Sequence, residues 1–375
     1  VQHGQVLSLS PIYPLEGYAQ IYPEFASGPF GWRVASLLDA AQREAFHLVA
    51  PEDLNDFLAA DPPRGILVGL DNDDRYEESP FVAYAQQHAY VPVSLPDEGT
   101  LWLSPLAVWR DNILLGGFNA PEEPVQPGDN ADLTLYLQNR RPIDKNLNIL
   151  VRLIGADGNE LLRDEGWPWG SPTSTWEPED VWPDGHQLII PKAAQPGYYA
   201  IQVGFYDPAD LEPYGDPTII GHLPVGSRDF FVDASTPLVR FGASIALLSA
   251  ELPDEPLQAG DIAPIRLVWR GKQRPDADYT IFVHLLDRNG DLVAQIDTPP
   301  MGGFFPTSNW LPTLSVIDEF DLPIPADIPA GSYQVSLGLY NSADQQRLTV
   351  TPLSATTADL PTTVDTVLMG SVDIE

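Results

Sequence analysis

The sequence predicts a mainly β protein, in which two tandem immunoglobulin-like antiparallel β-sandwiches follow a small α/β domain. Three observations predict this class: an internal repeat, strict apolar alternation within the repeat, and helical spacing of apolar residues before it. The repeat relates residues 131–206 to residues 263–340. The predicted domains are an extended lead-in plus α/β domain (1–104), a first sandwich (105–235) and a second sandwich (236–375).

The α/β domain begins with a segment that has no clear periodicity. Pro11, Pro14, Gly17 and Pro23 interrupt the first two dozen residues, which predicts an extended lead-in packed on a neighbour. The next segment has apolar residues at helical spacing, which predicts a helix between residues 30 and 46. Those residues are Val34, Leu37, Leu38, Ala41 and Ala45.

The rest of the first domain alternates between helix and strand signals. Pro51 opens a second short helix that the Asp61-Pro62-Pro63 sequence ends, and residues 66–70 form an apolar run typical of a buried strand. Ser79 and Pro80 are a cap and a first-turn proline for a helix through residue 87. Residues 90–95 and 101–103 are predicted strands.

Each sandwich is predicted from one copy of the repeat. With an offset of 132, alternating apolar positions coincide in the two copies, and each set falls on one face of a strand. These sets are Leu133, Leu135 and Leu137 in the first copy, and Ile265, Leu267 and Trp269 in the second. The hairpin dipeptides Asp157-Gly158 and Asn289-Gly290 follow the same offset.

Further along, the offset becomes 134, which indicates an insertion of two residues in the second copy. Residues 172–176 then match residues 306–310, and residues 199–206 match residues 333–340. Residues 113 and 115 match residues 245 and 247 as first strands, while residues 230–232 and 367–369 are predicted last strands.

Composition restricts the setting of the protein. The net charge of −34, from 53 acidic and 19 basic residues, opposes close association with nucleic acid or an anionic lipid surface. No apolar run approaches the ~20 residues that a membrane helix needs. The absence of cysteine, the 39 prolines, the tandem sandwiches and a start at Val1 favour an extracytoplasmic chain, on the cell surface or secreted, whose preceding segment has been removed.

Several stretches resemble a known family. Residues 279–287, 293–297, 306–310 and 331–340 are similar to the C-terminal extracytoplasmic sandwich region of bacterial polytopic membrane glycosyltransferases, the enzymes similar to dolichyl-phosphate-mannose mannosyltransferases. Residues 61–69 are similar to the segment that follows their membrane portion. The resemblance implies a location facing the cell envelope and a carbohydrate-related neighbourhood. It supplies no catalytic residue, because that family's reaction takes place in a membrane portion.

Catalytic motifs are missing from the sequence. No nucleophile elbow, phosphate-binding loop or paired-histidine zinc motif occurs, and the six histidines are scattered. We therefore expect a non-catalytic protein with no catalytic residues and no resident cofactor.

One acidic cluster is a candidate calcium site. Asp71, Asp73, Asp74 and Glu77 follow the predicted buried strand and offer the hard oxygen ligands that Ca²⁺ prefers. The spacing of an EF-hand is missing, so the alternative interpretation is a solvated acidic loop.

Tryptophans form a second candidate site in the connection of residues 167–182. Trp176 and Trp310 match in the repeat, which favours a core position for both. Trp167 and Trp169 have no such match, so they are the candidate contact with a glycan or a protein partner.

Three functions remain open on the sequence. The first is a structural or interaction module of an extracellular assembly, formed with other subunits or by self-association through the two chain ends. The second is the soluble ectodomain of a membrane glycosyltransferase that assists acceptor recognition. The third is a carbohydrate-binding module.

Overall fold

A computed structural model describes residues 4–17, 19–70, 78–96, 99–232, 236–353 and 363–375. It is mainly β, with a five-stranded sheet followed by two pairs of antiparallel sheets. No helix within these ranges is long and apolar enough to cross a membrane.

The first sheet has the strand order β2-β1-β3-β5-β4 and mixes parallel with antiparallel pairs. Its strands are β1 (Gln5–Ser8), β2 (Gln20–Ile21), β3 (Gly65–Val68), β4 (Val91–Ser94) and β5 (Thr100–Leu103), and its helices are α1 (Ile12–Glu16), α2 (Pro29–Ala35), α3 (Ala40–Phe46), α4 (Leu54–Ala60) and α5 (Ser79–Gln87). The lead-in is therefore not merely extended, because it supplies an internal strand and a helix. The predicted end of α5 at residue 87 is confirmed, but Ser79 is the first residue of the helix and not its cap, because Glu78 takes the N-cap position.

The single helix predicted between residues 30 and 46 is wrong. Two helices, α2 and α3, are separated at residues 36–39, where Asp39 caps α3 by accepting a hydrogen bond from the Gln42 N–H at 2.9 Å. The predicted apolar stripe lies largely in solvent, with Leu37 83% exposed, while Trp32 and Ala35 are buried in its place. The capping box at Asp39 begins a new helix, and this local signal outweighs the helical spacing of the apolar residues.

The first sandwich consists of sheets ordered β11-β8-β7-β6 and β10-β9-β12-β13. Their strands are β6 (Ala107–Trp109), β7 (Ile113–Asn119), β8 (Asn130–Asn139), β9 (Asn148–Ile154), β10 (Glu160–Gly166), β11 (Val181–Ile189), β12 (Gly197–Tyr206) and β13 (Thr218–Val225). The inner faces of both sheets share one apolar core.

The second sandwich repeats this arrangement with sheets ordered β19-β16-β15-β14-β21 and β18-β17-β20-β22. Helix α6 (Arg228–Phe231) precedes it, and its strands are β14 (Val239–Phe241), β15 (Ile245–Glu251), β16 (Ile262–Gly271), β17 (Tyr279–Leu286), β18 (Leu292–Thr298), β19 (Ser315–Pro323), β20 (Gly331–Asn341), β21 (Val350–Pro352) and β22 (Val367–Ile374).

The strand faces predicted by alternation are confirmed. Leu135 and Leu267 are buried in their cores, whereas their neighbours Thr134 and Arg266 are partly exposed. Residues 230–232 do not form a strand as predicted, because helix α6 contains Phe230 and Phe231. The strands nearest to the two chain ends pair with strands of the same chain. β1 lies between β2 and β3, and β22 pairs with β20.

Candidate functional site

The tryptophan loop, residues 167–176, links the two sheets of the first sandwich between β10 and β11. Short 3-10 turns at Pro168–Gly170 and Thr173–Thr175 shape it. Trp167 is 50% exposed and Trp169 is 51% exposed, whereas Trp176 is buried in the core. The two unmatched tryptophans of the sequence thus present large aromatic surfaces to solvent.

A buried polar network holds this loop. Trp169 adopts a left-handed backbone conformation with a φ of 54°, and its N–H donates to the Asp184 Oδ1 atom at 2.6 Å. The other oxygen of Asp184, Oδ2, lies 3.0 Å from the His186 Nε2 atom. The His186 Nδ1 atom lies 2.8 Å from the Asp164 Oδ2 atom on β10. The network therefore fixes the backbone that presents Trp169.

His186 is charged more readily than an ordinary histidine. Burial by itself lowers its pKa, but the hydrogen bonds and charges of Asp184 and Asp164 outweigh burial and raise the pKa above 6.5. Because carboxylates occupy both ring nitrogens, the imidazole is not placed to take a proton from a substrate. The arrangement is suited to holding the loop.

The exposed ring of Trp169 is connected to the core through a series of aromatic contacts. The rings of Trp169 and Trp182 are 5.0 Å apart, and Trp182 stacks on Trp176 at 5.2 Å. Aromatic side chains held in this way offer contact area at a low entropic cost. These contacts therefore fix the position of the half-exposed Trp169 ring.

The second sandwich has the same loop scaffold. Met301 occupies the position of Trp169, with a φ of 51°, and its N–H donates to the Asp318 Oδ1 atom at 3.0 Å. Asp318 is the repeat equivalent of Asp184. Trp169 thus has a counterpart that sequence similarity alone did not reveal, because the side chain differs while the backbone conformation and the aspartate acceptor are retained.

The rest of the polar network is absent from the second sandwich. The offsets of the repeat place Phe320 where the first sandwich has His186, and Ile296 where it has Asp164. The Asp318 Oδ2 atom is buried and has no hydrogen-bond partner among the described residues. Burial raises the pKa of Asp318 to about 6.

The two-residue insertion lies in this loop. Residues 303–305 stand where the first sandwich has only Ser171, and they include Phe304 and Phe305. Phe305 stacks on Tyr198 of the first sandwich with a ring separation of 4.1 Å, and both phenylalanine rings contact His222. The insertion therefore builds the joint between the sandwiches.

The joint is packed like a protein core. The Tyr198 hydroxyl donates to the Ser315 carbonyl at 3.0 Å, and Tyr198 and Phe231 belong to the core of the second sandwich. Burial lowers the pKa of His222 to about 4, so this ring is neutral at physiological pH. The equivalent loop of the first sandwich leaves Trp167 and Trp169 half exposed.

The predicted calcium ligands Asp71, Asp73, Asp74 and Glu77 lie outside the described residues. Within the described ranges, no group of three or more His, Cys, Asp or Glu residues could hold a metal ion. The neighbouring Glu78 accepts a hydrogen bond from the Gly69 N–H at 2.8 Å. The calcium site stays a prediction.

Sequence reasoning missed the Asp184–His186 pair, although a signal for it existed. The two residues are spaced by two on a strand whose next alternate position is the core residue Leu188, which places them on the inner face. Polar residues at inward positions need partners, so this spacing predicts a network.

The sequence matches no protein-family model and no curated protein. Among solved structures, it is similar to a Niemann-Pick type C2 protein from the Japanese carpenter ant, with 10% identity and a TM-score of 0.22 over 39% of this chain and 98% of that chain. It is also similar to red sea bream transglutaminase, with 10% identity and a TM-score of 0.18 over 70% of this chain and 31% of that chain. Neither similarity is close enough to carry an argument about fold or function.

Proposed function

We propose that this protein is a non-catalytic, extracytoplasmic interaction module that assembles head to tail with further copies of itself. The observation that carries the proposal is the pair of equivalent loops. One of them, residues 299–305, joins the second sandwich to the first, while the other presents Trp167 and Trp169 to solvent.

Buried contacts between the modules support a rigid unit. The Arg64 side chain of the α/β domain donates to the Gly116 carbonyl of the first sandwich at 2.9 Å. Val91 packs closely on Gly116. A Cβ atom added to Gly116 would lie only 2.6 Å from the Cβ atom of Val91. Modules joined in this way transmit their orientation, whereas flexible linkers would not.

The proposed occupant of the tryptophan loop is the far end of the second sandwich in another copy. At the internal joint, the first sandwich contributes Tyr198 and His222. The strand register places the exposed residues Ser332 and Ser371 at the equivalent positions of the second sandwich. Small residues at this end are complementary in size to large tryptophan rings, and a repeated contact of this kind generates open chains of subunits.

Light scattering across a concentration and salt series tests the proposal. The mass should rise with concentration, and added salt should increase it because each copy carries a charge of −34. Trp167→Ala with Trp169→Ala should abolish assembly, whereas Ile189→Ala, at another exposed apolar position of the same sandwich, should not. A wild-type protein that stays monomeric at high concentration and salt would exclude self-assembly.

The second candidate function is carbohydrate recognition, as a binding module or as the ectodomain of a membrane glycosyltransferase that assists acceptor recognition. Half-exposed tryptophan rings on a fixed loop favour it, since such rings stack on sugars, and so does the sequence resemblance. Quenching of tryptophan fluorescence by an oligosaccharide, lost in the same double variant, would support this candidate in a protein that remains monomeric.

A further inference from the structure

His186 connects the two strands from which the tryptophan loop departs. Its side chain is only 5% exposed, and its ring nitrogens lie 2.8 Å from the Asp164 Oδ2 atom and 3.0 Å from the Asp184 Oδ2 atom. Asp164 lies on β10, which precedes the loop, and Asp184 lies on β11, which follows it. One imidazole therefore joins the two sheets of the first sandwich at both ends of the loop.

Only the protonated form of His186 satisfies both contacts. A neutral imidazole has one N–H donor, whereas ionised carboxylates only accept hydrogen bonds. When His186 is neutral, one of its nitrogens therefore faces a carboxylate oxygen at hydrogen-bond distance with no proton between them. That contact becomes repulsive, because a lone pair then faces a negative charge.

The exposure of the two aspartates decides which contact is lost. The Asp184 side chain is 5% exposed and also accepts the Trp169 N–H bond at 2.6 Å. A buried charge without partners is costly, so Asp184 keeps the remaining N–H of the imidazole. The Asp164 side chain is 46% exposed, so water can replace His186 as its partner. Deprotonation of His186 therefore removes this hydrogen bond between β10 and β11.

Strand β10 presents one charged group to His186. Asp164 pairs with the core residue Val151, which places it on the inner face of the sheet. Its neighbours Arg163 and Glu165 lie on the outer face by the same alternation.

The adjoining strand β8 presents no charge at this point. His186 pairs with Leu133, and Asp184 pairs with Leu135. The charges that act on His186 among the described residues are therefore those of the two aspartates. Burial lowers the pKa of His186, but these aspartates outweigh burial and raise the pKa above 6.5.

The second sandwich holds its equivalent loop in another way. Phe320 and Ile296 stand in place of His186 and Asp164, so no titratable contact joins the two strands there. Its loop is instead packed against the first sandwich, where Phe305 stacks on Tyr198. The polar network thus holds the loop that has no sandwich docked on it within the chain.

We propose that this network makes the tryptophan loop a pH-sensitive contact, held for binding in mildly acidic solution and loosened as the solution becomes alkaline. Assembly through Trp167 and Trp169 is therefore strongest where His186 is charged. The inference rests on the proposed function for the identity of the partner, a second copy of the chain. The change in the loop itself requires no partner.

Hydrogen exchange of residues 167–176 tests the proposal in dilute, monomeric protein. After correction for the intrinsic exchange rate, protection of these amides should fall by about tenfold or more between pH 6.5 and pH 9, the effect of losing one hydrogen bond to a charged group. The pKa values of Asp318 and His222, about 6 and about 4, lie below this range.

Asp164→Asn is the decisive variant. The asparagine amide can donate to the unprotonated Nδ1 atom, so neutral His186 satisfies both neighbours and the loop should stay protected at pH 9. Glu165→Gln is the matched control, because it removes the same charge from the next position of β10. Glu165 accepts a hydrogen bond from the Tyr206 hydroxyl at 3.2 Å and does not face His186, so this variant should follow the wild type.

Light scattering over the same pH range measures the consequence for assembly. The mass of the wild type and of Glu165→Gln should fall as the pH rises, whereas the mass of Asp164→Asn should not. A wild type that is monomeric at every pH overturns the proposed function, and the exchange measurement still decides whether the loop responds to pH. The pH-sensitive contact is overturned if loop protection is unchanged between pH 6.5 and pH 9, or if Asp164→Asn responds as much as the wild type does.

Discussion

Asp318 is a buried carboxylate that has lost the partners retained by its repeat equivalent. It is 1% exposed, and its Oδ2 atom has no partner among the described residues. Burial raises its pKa from 3.8 to about 6, against the hydrogen bond from the Met301 N–H and with some help from the charge of Glu319. The carboxyl group of Asp318 therefore binds its proton more tightly in the native protein than in the unfolded chain.

We predict that Asp318→Asn stabilises the protein above pH 6. Since the folded pKa is the higher one, wild-type stability is lost as the pH rises from about 4 to about 6, and the loss persists at higher pH. At about 1.4 kcal/mol for each pKa unit, the charged Asp318 costs about 3 kcal/mol at pH 8. Asparagine carries no charge and still accepts the Met301 N–H bond.

Urea unfolding of wild type and variant at several pH values measures the difference. The variant should be more stable by up to about 3 kcal/mol at pH 8, and this gain should shrink towards zero near pH 4. Hydrogen exchange in β16 and β19 peptides assigns the change to the second sandwich. A variant no more stable than wild type at pH 8, or a gain that does not vary with pH, would refute the reasoning.

Asp184→Asn is the matched variant in the first sandwich and should have the opposite sign. Asp184 hydrogen-bonds both the Trp169 N–H and His186, and losing a hydrogen bond to a charged group costs about 1.5–3 kcal/mol. Equal effects of the two substitutions would mean that the polar network does not distinguish the repeats.

Two further predictions concern the strand faces and His186. In urea unfolding, Leu135→Ala and Leu267→Ala should each destabilise the protein by about 2–5 kcal/mol. Thr134→Ala and Arg266→Ala should each cost less than about 1 kcal/mol. Greater sensitivity at Thr134 and Arg266 would mean that the strand faces are reversed. The stability that His186 contributes should be fully present below pH 6.5 and lost as the pH rises through its raised folded pKa, so His186→Gln should be most damaging at pH 5. A penalty that grows from pH 5 to pH 8 would contradict this.

Local patterns in the sequence determined the class of the protein and the orientation of its strands. Leu135 and Leu267 could be assigned to the core because strand side chains alternate with a period of two, and alternation requires no knowledge of which strands pair. The extent of α5 was predictable to within one residue for a similar reason, since Pro80 acts within the first helical turn, although the N-cap is Glu78 and not Ser79.

Competition between local signals caused the errors in the first domain and the linker. The apolar spacing around Leu37 favoured one long helix, but the cap at Asp39 starts a new one, and the stripe lies in solvent. Phe230 and Phe231 were predicted to be strand residues, but they lie in a short helix. The Phe231 ring packs against Tyr198 across the joint between the sandwiches. A tertiary contact decided the conformation in a way that propensity did not.

The candidate sites depended on contacts between distant parts of the chain. Trp167 and Trp169 could be singled out from the sequence, but their support by Asp184 and His186 follows from the pairing of β10 with β9 and of β11 with β8 in opposite sheets. Tyr198 and Ser315 meet although they are 117 residues apart. Periodicity tells which way a side chain points, whereas strand register and domain docking decide what it meets.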